Sequence, residues 1–157
     1  MEVKADYREF IAEDAGLLAI MSLLTGATLV LLQQSDRLVA MAAACLAVFL
    51  LSVLVIRYVM LVNVTWVIGE ETLCRCRGVL SKVSDYVEMY RITDYREHQS
   101  FLQRLLGVKT ITIYSTDQSD GVAEIVGVSA DLDLVGMIRD FVENSKKEKC
   151  IYEITNR

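Results

Sequence analysis

Cys74-x-Cys76 is the first pattern in this chain with residue types that do chemistry. Zinc sites pair cysteines two to four residues apart and need a second pair of Cys or His ligands elsewhere. Here the spacing is one, the single histidine is His98, and Cys150 is remote. On a strand, positions 74 and 76 share a face, so the pair reads as core packing. Of the four cysteines, Cys45 lies in a long apolar run and the others in the more polar part of the chain. They read as reduced thiols, not as a disulfide framework. His98 sits in Arg96-Glu97-His98-Gln99 with no nucleophile arranged around it and reads as a surface side chain. No phosphate-binding or dinucleotide-binding glycine pattern occurs. The sequence therefore names no catalytic residue, no metal ligand and no cofactor.

The charges are more informative. Sixteen Lys and Arg against twenty-one Asp and Glu leave a net charge of -5. A dedicated nucleic-acid binder is excluded, because phosphate contacts need a basic surface. The balance is uneven along the chain: residues 75–109 hold seven basic and four acidic residues, residues 110–157 five and nine. Arg75, Arg77, Lys82 and Arg91 are the candidates for contact with anionic lipid headgroups, where each basic residue near the surface contributes about 1 kcal/mol. A mixed, solvated surface accounts for the same residues equally well.

The elements that must position these side chains begin with two apolar runs. Hydrophobic residues make up 54% of the 157-residue chain and the mean hydropathy is +0.38. Residues 15–35 carry no charge, and residues 15–32 would form a helix of roughly 27 Å, close to the thickness of a bilayer core. A second uncharged run covers residues 38–56, separated from the first by only Gln33-Gln34-Ser35-Asp36-Arg37. So short a link predicts an antiparallel transmembrane hairpin over residues 15–57, after an N-terminal cytoplasmic tail of residues 1–14. A signal peptide does not fit, since the first fourteen residues hold five acids against Lys4 and Arg8. Small residues recur four apart at Ala15/Ala19 and Ser22/Gly26, and again at Ala40/Ala44 and Ala43/Ala47, where they would let helices approach closely within the hairpin or between copies.

Two spans put both termini on one side. Lys4, Arg8, Arg57, Arg75 and Arg77 lie there against Arg37 opposite, so the positive-inside bias predicts cytoplasmic termini. Tyr7, Phe10, Tyr58 and Trp66 cluster on the same side, as an aromatic belt would, and Arg57 is placed to anchor the end of the second span.

From about Tyr58 the pattern changes to alternation. Strands are expected over residues 58–68, 72–77, 83–89, 91–96, 109–114 and 124–128, with a helix-like or turn segment at Gln99–Leu106 ending at Gly107. An amphipathic helix follows, capped by Ser129 or Asp131 and running to about Ser145, with Leu134, Ile138, Phe141 and Val142 on one face. Residues 58–149 thus form one small α+β domain, followed by a C-terminal tail of residues 150–157 in which Cys150–Ile154 is a weak strand candidate. Short turns imply antiparallel pairing, as a partly open barrel or a bent sheet.

Arg77-Gly78-Val79-Leu80, Arg91-Ile92-Thr93-Asp94, Gln99–Gly107, a Thr/Ile strand and Gly127-Val128 before a helix follow one another in an order that resembles the bacterial PH-like domain of the YdbS type. Glu88-Met89 stands where that family usually has a proline before the Arg-Ile strand. The resemblance covers about residues 65–145 and, with the hairpin that members often carry, most of the chain. It implies a bent seven-stranded sheet capped by one helix, and no enzyme activity. The expected protein is a multi-pass protein of the bacterial cytoplasmic (inner) membrane. Its module binds a protein partner, or itself as a homo-oligomer or structural subunit of a larger complex, and contacts the lipid bilayer.

Overall fold

The computed structural model describes residues 1–33, 37–116 and 121–149. The chain opens with strand β1 (Glu2–Lys4), followed by helices α1 (Tyr7–Gln33) and α2 (Arg37–Val62). Both helices are long and apolar enough to cross a membrane. Strands β2 (Thr65–Ile68), β3 (Thr72–Arg77) and β4 (Val83–Glu88) come next, then a 3-10 turn (Met89–Arg91) and β5 (Ile92–His98). Helix α3 (Phe101–Leu106), strands β6 (Val108–Ser115) and β7 (Val122–Ser129) and helix α4 (Leu134–Glu148) complete the fold.

Seven antiparallel strands form two sheets, ordered β1-β2-β3-β4 and β5-β6-β7. The expected α+β class, with a C-terminal helix on a bent antiparallel sheet, is what the structure shows. The first sheet has an unexpected connection. Its edge strand β1 pairs with β2, with Val3 opposite Trp66, although the whole helical hairpin lies between them in sequence. The N-terminal ammonium donates to the Ile68 carbonyl at 2.7 Å and extends that ladder. Residues 1–14, read as a tail, are therefore a strand and the first turns of α1. Three residues are too few for periodicity to reveal, and the partner strand is some sixty residues away.

Helix α2 continues to Val62, past the point where β-branched residues suggested a strand. Propagating a helix adds one hydrogen bond per residue without a new nucleus, so Val59 and Val62 remain in it. Asn63 then ends it: its backbone N–H and its side-chain amide both donate to the Val59 carbonyl, at 3.2 and 2.7 Å. At the other end of the domain, Asp133 caps α4 by accepting from Gly136 N–H at 3.0 Å. The expected cap Ser129 instead ends β7 and accepts from Leu132 in the connecting turn.

The two sheets and α4 enclose one core. Trp66, Ile68 and Leu73 from the first sheet meet Ile111, Ile113 and Ile125 from the second, and Leu134, Ile138 and Val142 of α4 close it. Cys150–Ile154 lies outside the described residues.

Candidate functional site at the hairpin end of the sheets

Strand register defines an end. Lys4, Thr65, Cys76 and Ser84 form one row across β1–β4, and this row lies where the sheet meets α1 and α2. Beyond it β3 and β4 project one further turn toward the helices. Gly78 makes that turn possible: its φ of 121° suits glycine, and a Cβ there would collide with the Ser81 carbonyl. At the tip Val79 is exposed and Leu80 entirely so.

Two adjoining clefts separate this tip from α2. An apolar one of about 530 Å³ is lined by Met60, Val64, Val79, Leu80 and Val83. A more polar one of about 270 Å³ is lined by Lys4, Asn63, Thr65, Arg77, Lys82 and Ser84. They share Asn63, Arg77 and Gly78.

Of the four basic residues singled out from the sequence, the structure brings Arg77 and Lys82 together here and adds Lys4. Arg77 lies 3.4 Å from the partly buried Asp85, and Lys4 lies 3.1 Å from Glu2 as an exposed pair. Lys82 is exposed and in no ion pair among the described residues. Arg75 sits on the strand itself. Its guanidinium lies 2.9 Å from Asp85 and 5.6 Å from the Trp66 ring centroid. Arg91 is at the opposite end of the sheet, 3.5 Å from Glu88 and stacked over Tyr90. The opposed carboxylates of Asp85 and Glu88 scatter a group that a charge count joined.

The expected anchors divide likewise. Phe10 and Tyr58 meet edge to face, with centroids 5.3 Å apart, and Tyr7 is exposed under the Arg8 guanidinium. Arg57 bridges α2 to α1 with contacts of 3.0 Å to each of Glu13 and Asp14. Trp66, read as an interfacial anchor, is a core residue at 3% exposure, because β2 turns it inward between Val3 and the second sheet. Ala40, Ala43 and Ala47 face α1 and Ala15 is partly covered, whereas Ala19, Ser22, Gly26 and Ala44 turn outward.

On the other side of α1, Gln103 donates to Glu9 at 2.7 Å and to Thr110 at 2.8 Å. Glu9 is buried, and its second carboxylate oxygen has no hydrogen-bond partner among the described residues. Sequence reading passed over this junction. The Ser100-x-x-Gln103 capping box was legible, but its link to Glu9 spans 94 positions. An open cleft of about 560 Å³ beside it is lined by Glu9, Glu13, Arg96, His98, Thr110 and Thr112, among others. His98 thus faces a polar cleft, while Cys74 and Cys76 belong to the other sheet, with sulfurs 3.6 Å apart. Burial, and then the Cys76 contact, push the Cys74 thiol above its ordinary range. Among the described residues no group of three or more His, Cys, Asp or Glu is placed to hold a metal ion.

Two antiparallel sheets, a capping C-terminal helix and an apolar helical hairpin set between the first two strands define the class: an α+β module built around two long apolar helices. The family model for the bacterial PH domain matches residues 16–144, hairpin included, and the chain belongs to that family. No curated protein and no solved structure matches it.

Proposed function

We propose that this chain is a non-catalytic integral membrane protein of the bacterial cytoplasmic membrane. Its hairpin crosses the bilayer twice, both termini are cytoplasmic, and the PH-like module is an interaction surface held at the inner leaflet. The observation that carries this reading is the insertion of the hairpin between β1 and β2. Ala5-Asp6 on one side and Asn63-Val64 on the other are the whole connection, so the sheet cannot swing away from the helices. The helices suit lipid on their outer faces. Ser22, Thr25, Thr28 and Ser52 each donate to the carbonyl three residues back, so these four hydroxyls need no water. Alkaline carbonate extraction of membranes from cells making the full chain tests it. The protein should stay with the lipid, and release into the supernatant would overturn the reading.

A protein partner finds its natural surface on β4, a terminal strand that exposes Val83 and Tyr86. A photocrosslinking residue in place of Tyr86 should trap one defined protein in cells. Trapping none would remove the partner from this account.

A second reading is a homo-oligomer or structural subunit. Ala19, Ser22 and Gly26 form an outward stripe that lets a second helix approach closely. A monomeric mass in mild detergent would speak against it.

A further inference from the structure

We propose that the two clefts beside the β3–β4 tip together hold one anionic phospholipid of the inner leaflet. This rests on the membrane reading above and specifies a ligand for the module. The hairpin enters the charge-free run at Ile56, and Met60 lies four residues further, about 6 Å along the axis. Headgroup layers occupy about 5–7 Å on each side of a bilayer core. The tip and its clefts therefore sit at headgroup depth.

The order of the two clefts matches a lipid that keeps its place in the leaflet. The apolar cleft, walled by Met60, Val79 and Leu80, lies on the bilayer side of the Lys4–Thr65–Cys76–Ser84 row. The polar cleft lies on that row and carries Lys4, Arg77 and Lys82. A phosphate in the polar cleft would meet three cations and the Asn63 amide, while the glyceryl end of the acyl chains would run along Val79 and Leu80. Each part answers a feature otherwise unaccounted for. Leu80 is fully exposed to water in the isolated chain, an unfavourable position for an apolar side chain at a Gly-shaped tip. Lys82 is a cation with no ion-pair partner among the described residues. Arg77 lies 3.4 Å from Asp85, at the longer of that carboxylate's two guanidinium contacts, and its side chain is about half exposed beside the cleft.

The test is native mass spectrometry of the full chain released from micelles, with phosphatidylglycerol and phosphatidylcholine of matched acyl chains as probes. Wild type should retain phosphatidylglycerol over phosphatidylcholine. Lys82→Glu should abolish that preference, and Leu80→Asp should lower retention of both lipids. Lys147→Glu, the same charge change on exposed α4, should alter neither. Excess glycerol phosphate should not displace the bound lipid. Equal retention of the two lipids by wild type, or equal effects of Lys82→Glu and Lys147→Glu, would overturn the proposal, as would displacement by glycerol phosphate alone. All three substituted residues are exposed, so the fold is not at stake. Carbonate extraction of the same variants separates the two ideas: a chain that stays integral but shows no preference refutes the lipid site and leaves the membrane reading intact.

Discussion

Gln103 joins three elements through one side-chain amide: α3, where it completes the capping box with Ser100, α1 through Glu9, and β6 through Thr110. Replacing it with leucine leaves the buried Glu9 carboxyl without its hydrogen-bond donor, a loss of about 1–3 kcal/mol. Trp66, the single tryptophan and a core residue, reports unfolding directly by its fluorescence. Gln103→Leu should unfold earlier than wild type, and adding Glu9→Leu should recover part of the loss. Tyr95 supplies a pH signature. Burial pushes its phenol up to about 12 from the ordinary value near 10. The folded state thus favours the protonated phenol. This contribution is fully present below about pH 10 and is lost as pH rises through the folded value. Tyr95→Phe should flatten the decline of stability in that alkaline window, read by chemical unfolding at a series of pH values. At this scale little was legible in the sequence. Cys74 and Cys76 were correctly placed on one strand by the period of two. The partners of Arg75 and Glu9 come from other elements, Asp85 on the neighbouring strand and Gln103 on α3, which a linear charge count cannot see.

Among the elements, α1 meets the second sheet at β7. Gly127 holds a φ of 68°, and its carbonyl accepts from Asp6 N–H at 3.0 Å. A Cβ at this position would lie 2.9 Å from Glu9 Cβ and 3.0 Å from Asp6 N. Gly127→Ala should therefore cost about 1–3 kcal/mol from left-handed strain and crowding together. Hydrogen exchange should locate the loss at the start of α1. Gly26→Ala, with nothing within 4 Å of the new methyl, should not lower stability. The long helices, α4, the alternating strand β6 and the Gly107 stop were readable because each carries its own periodicity or cap. Boundaries moved where context overruled propensity: α2 extended over Val59 and Val62, and the cap of α4 shifted to Asp133.

For the whole molecule, composition and hydropathy pointed to a helical hairpin joined to a small α+β domain, and the order of motifs pointed to the family. What they left hidden is how the two parts are joined. The pairing of Glu2–Lys4 with Thr65–Val67 makes the hairpin an insertion within the sheet, and no local pattern in three residues announces it. In the proposed role this joint would seat the domain at the membrane surface, and on it that role depends. Accessibility of single thiols tests that claim most directly, in a background with the native cysteines replaced. Ser35→Cys and Glu70→Cys are exposed to a membrane-impermeant maleimide in intact spheroplasts and again after permeabilisation. The account predicts labelling of Ser35→Cys in intact cells and of Glu70→Cys only once the membrane is opened. Labelling of Glu70→Cys in intact cells, or failure of Ser35→Cys to label until permeabilisation, would contradict it.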